Sequence, residues 1–84
     1  MADLASIQQT LEQHIREDIL LRKERLAPDE DLFAAGFDSL SLSRVLVFIE
    51  ERFGLVIPDE EVVVDQVGTI EKLAHFVAAR IKKT

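Results

Sequence analysis

A chain of 84 residues with no Cys and a formal charge of −6 allows one small domain, taken as residues 1–84, and excludes a disulfide framework or a thiolate metal centre. Residues 29–65 hold ten acids against two bases, Arg44 and Arg52, a local charge of −8 that disfavours nucleic acid and would steer basic partners to the middle of the chain. No apolar run approaches the roughly 20 residues that span a bilayer, and Met1-Ala2-Asp3-Leu4 lacks the basic start and apolar stretch of a signal peptide, so a cytoplasmic protein with no membrane association is expected.

Leu4, Ile7, Leu11, Ile15 and Ile19 recur at helical spacing and predict a first amphipathic helix over about residues 3–20. Periodicity is lost over residues 21–37, where Pro28 and Gly36 punctuate a long loop and Leu26, Leu32 and Phe33 read as its anchors to the core. A loop of that length in a compact domain is often functional. Leu42, Val45, Leu46, Ile49 and Phe53 then form one continuous stripe of a second helix, with Phe53 and Phe33 as aromatic plugs and Gly54 as its left-handed stop.

Leu55-Val56-Ile57-Pro58 reads as extended, since the residue before a proline avoids the helical region. Asp59-Glu60-Glu61 suits the first turn of a short third helix, although Val62-Val63-Val64 has strand propensity. Thr69 is placed to cap a last helix with the stripe Ile70, Leu73, Ala74, Val77 and Ile81, and Lys82 and Lys83 suit its C-terminus. The expected fold is all-α: a small four-helix bundle, three main helices and one short one, with a long loop between the first and second.

Ser39 sits where the Gly-punctuated loop ends and the second helix begins. Unpaired backbone N–H groups and the helix dipole at such a place favour an attached phosphate. The residues alone also permit a plainer role: Asp38 as the N-cap, accepting from the N–H of Ser41, with Ser39 an ordinary first-turn residue. On the outer side of this helix Leu40 and Val47 point away from Leu42, with Arg44 and Glu51 between or beside them. Apolar residues rimmed by charge suggest a contact patch; lone exposed aliphatics can also mean nothing. His14 and His75 are too few for a metal site, Asp29-Glu30-Asp31 lacks the spacing and glycine of a calcium loop, and no base–nucleophile pair suggests catalysis.

The segment Asp31-Leu32-Phe33-Ala34-Ala35-Gly36-Phe37-Asp38-Ser39-Leu40 resembles the loop and attachment motif of acyl carrier proteins. Ile49-Glu50-Glu51-Arg52-Phe53-Gly54, then Val56-Ile57-Pro58-Asp59-Glu60-Glu61, resembles the family's second-helix end and third-helix start. Thr69-Ile70-Glu71 is similar to the start of its last helix. The likeness covers about residues 4–81.

The resemblance implies a covalent 4′-phosphopantetheine on Ser39, installed from coenzyme A by a phosphopantetheinyl transferase that holds Mg²⁺. Asp38 and Leu40 would flank it, Asp38 serving transferase recognition or metal contact. It implies a stand-alone, monomeric and non-catalytic carrier, which brings a thioester to acyl-loading and acyl-processing enzymes that dock on Leu40, Arg44, Val47 and Glu51. Fatty-acid carriers resemble one another in having acids where this chain has Ser41, Ser43 and Arg44. Gly36-Phe37-Asp38-Ser39-Leu40 looks more like carriers of polyketide assembly, so a specialised lipid or polyketide-type pathway is expected. The alternatives are an aminoacyl or peptidyl carrier and, from another class, an unmodified acidic helical domain that binds a basic partner.

Overall fold

The computed structural model describes residues 3–82. Three α-helices carry it: α1, Leu4–His14; α2, Ser39–Phe53; and α3, Ile70–Lys82. Among the described residues there is no strand, so the all-α expectation holds. No helix of the described residues is long and apolar enough to cross a membrane. Lys83 lies outside the described residues.

Asp3 starts α1 by accepting from Ser6 N–H at 2.8 Å. Ile7, Leu11 and Ile15 then point into the core, as their spacing dictates. After His14 the helix widens into a π segment, Ile15–Ile19, closed by Leu20 N–H on the Ile15 carbonyl at 2.8 Å. Arg22 N–H reaches back to the Arg16 carbonyl at 3.1 Å. Between them Leu21 takes φ +54°, a left-handed conformation that costs a residue bearing a Cβ roughly 1–2 kcal/mol.

The long loop lies on the bundle by specific ties. Glu12 of α1 is buried at 5% exposure and accepts from Arg16 Nε at 2.6 Å and from the buried Leu26 N–H at 3.0 Å. Farther on, Leu32 N–H binds the Gly68 carbonyl at 2.9 Å, and Glu71 N–H binds the Pro28 carbonyl at 3.0 Å. Leu26 and Leu32 are buried anchors, as expected.

Phe33 is not a buried plug: it is 37% exposed, while Phe37 is 2% exposed. The cause is the turn at residues 32–36. Phe37 N–H closes on the Leu32 carbonyl at 2.9 Å, so Leu32 and Phe37 enter the core together and Phe33 is left outside. The Phe33 ring meets the Phe37 ring edge-on, centroids 5.7 Å apart. Phe53 is not a fully buried plug either: it is half-buried and packs at the margin of the core.

On α2, Val45, Leu46 and Ile49 are buried and Leu42 is half-buried. Gly54 stops the helix at φ +69°, a region open to glycine without a Cβ clash. Leu55 and Ile57 are buried and Val56 is exposed, the alternation of an extended segment. The short helix expected next is realised as two 3-10 turns, Asp59–Glu61 and Val64–Gln66. Stiff β-branched Val62 and Val63 separate them. Thr69 Oγ1 then accepts from Lys72 N–H at 3.0 Å, and Ile70, Leu73, Ala74, Phe76 and Val77 complete the core.

Candidate functional site

Two successive caps deliver the start of α2. Asp31 Oδ1 accepts from Phe33 N–H at 3.0 Å and from Ala34 N–H at 3.3 Å, an Asx-type turn. Gly36 follows at φ +111°, where a residue with a Cβ would be strained. Phe37 plugs into the core, and Asp38 swings out in the extended region at φ −124°. Asp38 Oδ1 then accepts from Ser41 N–H at 2.9 Å, and its own carbonyl accepts from Leu42 N–H at 2.9 Å. The Asp38 cap read from the sequence is therefore present.

Ser39 is the first residue of α2 and is exposed. Among the described residues no hydrogen bond engages its hydroxyl. The Ser41 N–H and the Ser41 hydroxyl hold the Asp38 carboxyl below the usual aspartate range, so it is ionised at neutral pH. Its charge is turned back over the first turn of α2, against the positive end of a helix of 15 residues.

Leu40, Arg44, Val47 and Glu51 follow at i, i+4, i+7 and i+11 and share one exposed stripe of α2. Leu40 is 72% and Val47 56% exposed. Arg44 is not wholly free: its guanidinium donates to the Asp18 carbonyl at 3.4 Å. A turn further along, the Phe48 ring stacks on His14 at 3.8 Å between centroids, and His14 Nδ1 lies 3.1 Å from an Asp18 carboxylate oxygen. The end of α1 thus runs antiparallel beside α2. This contact row was not anticipated; the signal for it was the match of Arg44-x₃-Phe48 on one helix with His14-x₃-Asp18 on the other. His14 is a packing residue, and among the described residues no group of His, Cys, Asp or Glu is arranged to hold a metal ion.

Ser39 thus presents an exposed, unengaged hydroxyl at a capped helix N-terminus, on a short all-helical bundle. The chain matches the model of the family described as the phosphopantetheine attachment site over residues 9–77, and it belongs to that family. Domains of this family carry covalently attached 4′-phosphopantetheine, are in general non-catalytic shuttles, and work with phosphopantetheinyl transferases and biosynthetic enzymes. The residues present fit the group: Ser39 is exposed, its hydroxyl has no hydrogen-bond partner among the described residues, and the helix end offers N–H groups to a phosphodiester.

Proposed function

We propose that Ser39 is the attachment point and that the chain, acting as one carrier domain, holds an acyl intermediate for a specialised lipid or polyketide-type pathway in the cytoplasm. The observation that carries this reading is the exposed, unengaged Ser39 hydroxyl at the first position of α2. In the modification, Ser39 Oγ forms a bond to the phosphorus on the pantetheine side of coenzyme A. The pyrophosphate bridge breaks, 3′,5′-ADP leaves with the bonding electrons, and the hydroxyl proton goes to a base of the transferase. The attached arm supplies a terminal thiol that carries the acyl group as a thioester.

The chain's own residues then have three tasks. Asp38 fixes the first turn of α2 and with it the direction of the Ser39 side chain, and presents a carboxylate to the transferase and its Mg²⁺. Leu40, Arg44, Val47 and Glu51 offer partner enzymes apolar contacts between charges of opposite sign. Arg44 stands where fatty-acid carriers resemble one another in having an acid, which turns away enzymes with basic docking patches and favours a partner with a local carboxylate.

The test is incubation with coenzyme A, Mg²⁺ and a broad-specificity transferase, followed by intact-mass measurement. Wild type should gain one phosphopantetheine mass. Ser39→Ala should gain none while keeping its helical circular dichroism, because an exposed first-turn serine contributes within about 0.5 kcal/mol to stability. Modification of the alanine variant would remove the assignment.

A further inference from the structure

The end of α1 is capped in an uncommon way. Arg22 N–H bonds back to the Arg16 carbonyl and Leu20 N–H to the Ile15 carbonyl. The Arg22 bond is the counterpart, one residue wider, of the outer bond of a glycine-capped helix, while the Leu20 bond is the i→i−5 bond of the π segment itself. The residue in the left-handed position is Leu21, at φ +54° and 80% exposed. It is unfavourable for folding on both counts. A glycine there would avoid the Cβ clash, and a polar side chain would avoid wetting an isobutyl group. At the matching point of α2 the same chain uses Gly54, at φ +69°.

The position of Leu21 gives the strained residue a use. Arg44 meets Asp18 and Phe48 meets His14, so α2 read backwards runs along α1 read forwards. One turn back from Arg44 on α2 is Leu40; past Asp18, which lies in the π segment that continues α1, come Leu20 and Leu21. Leu20 confirms the level: its Cδ2 lies 3.9 Å from where a Cβ on Gly36 would sit, in the turn that leads to Ser39. Leu21 and Leu40 are thus exposed aliphatics at the Ser39 end of the molecule. One turn farther along α2 from Leu40 is Arg44, at the level of Asp18, with no carboxylate partner among the described residues.

We propose that Leu21 is a docking residue for the phosphopantetheinyl transferase that modifies Ser39, seated with Leu40 in an apolar hollow of that enzyme whose edge presents a carboxylate to Arg44. The inference rests on the Ser39 reading. The choice of occupant follows from the chemistry: the transferase must bring its reacting centre to Ser39 Oγ itself, so its surface has to cover the ground beside that atom. Enzymes that act on the thioester receive it at the far end of the arm, so contact with the ground beside Ser39 Oγ is not forced on them by the chemistry. The guanidinium supplies the charge complementarity. The left-handed backbone holds Leu21 out from the surface, where a helical residue would fold back over its own turn.

Initial rates of modification are measured by intact mass with a broad-specificity transferase, coenzyme A and Mg²⁺, varying the carrier, for wild type, Leu21→Gly and Leu21→Met. Thermal unfolding of the unmodified proteins is followed in parallel. Leu21→Gly should raise KM for the carrier by about fivefold or more with kcat within about twofold. It should also leave Tm unchanged or raise it by roughly 2–6 °C. Leu21→Met, which keeps the apolar bulk, should stay within about twofold of wild-type KM. Loss of recognition together with gained stability is the signature that a merely structural residue cannot give. An unchanged KM for Leu21→Gly would overturn the inference and leave the Ser39 reading intact. A change in sedimentation from dimer to monomer on Leu21→Gly would assign the residue to self-association and also overturn it. Absence of any adduct on wild type overturns the Ser39 reading and this inference with it.

Discussion

Glu12 is the residue on which the long loop depends. Burial raises its pKa, but the hydrogen bonds from Arg16 and from Leu26 N–H, with the charges of Arg16 and Arg25, hold it below the usual glutamate range. Glu30 is held low by Arg22, and Asp38 by Ser41. A carboxyl whose folded pKa lies below its unfolded value stabilises the fold above the unfolded value, and that contribution is lost as pH falls through the folded one. Tm should therefore be flat near neutrality and fall on acidification below about pH 4.5, the ordinary glutamate value that Glu12 and Glu30 undershoot, with Asp38 contributing only further down. Glu12→Ala leaves the Leu26 N–H buried without an acceptor, which typically costs about 1–3 kcal/mol. Urea unfolding at pH 7 and pH 3 checks both points. The gap between wild type and Glu12→Ala should narrow at the lower pH, and an equal gap at both would show that the carboxylate charge is not what holds the loop.

Among the elements, the turn at residues 32–36 decides which aromatic side chain supports the site. Phe37→Ala should cost about 3–5 kcal/mol, the usual range for a buried Phe. Phe33→Ala should cost about 1 kcal/mol or less, since its ring is partly solvated and meets Phe37 only at the edge. Equal losses in chemical denaturation would mean that the turn does not sort the two rings in this way. The sequence was a good guide where one physical rule acts alone. The α2 stripe, the Asp38 and Thr69 caps and the Gly54 stop were all legible because periodicity, side-chain capping and left-handed glycine are local effects. Leu32 and Phe33 show the limit. Both are apolar and adjacent, and the choice between them is made by a hydrogen bond from Phe37 that no local pattern announces. The π segment at Ile15–Ile19 escaped for a similar reason. Its spacing reads as ordinary helix, and nothing in the local pattern distinguishes i→i−5 from i→i−4 bonding. Val62 and Val63 warned that the short helix would be imperfect, and 3-10 turns are the result. At the site, Ser39 and Asp38 were legible as a motif and a cap, whereas Leu21 was not, because a strained φ leaves no mark in composition.

For the whole molecule, the charge map argues for selective partners. Residues 29–65 carry −8 in a chain of −6 overall, and Arg44 is a positive point on the exposed stripe of α2. Long-range attraction will draw basic partners toward the acidic middle, while Arg44 penalises those whose basic patch lands on that stripe. Malonyl loading and condensation by fatty-acid synthesis enzymes should be slow on wild type and faster on Arg44→Glu, with the difference shrinking at high salt. The same change should weaken the proper partner. It also removes the 3.4 Å contact with the Asp18 carbonyl, a small loss for an exposed bond, so Tm should move little. Equal rates for the two proteins at low salt would make Arg44 ordinary surface.

The central claim is a covalent arm on one particular hydroxyl, and Ser39 has two near neighbours of the same type in Ser41 and Ser43. Trypsin cuts after Arg25 and Arg44, which places all three serines on one peptide spanning residues 26–44. Fragment-ion mass spectrometry of that peptide, after modification of the wild-type protein, tests the claim most directly. The account predicts a single phosphopantetheine mass retained on Ser39, with Ser41 and Ser43 bare. An adduct on either neighbour, or a bare peptide from a protein whose intact mass has increased, would contradict it.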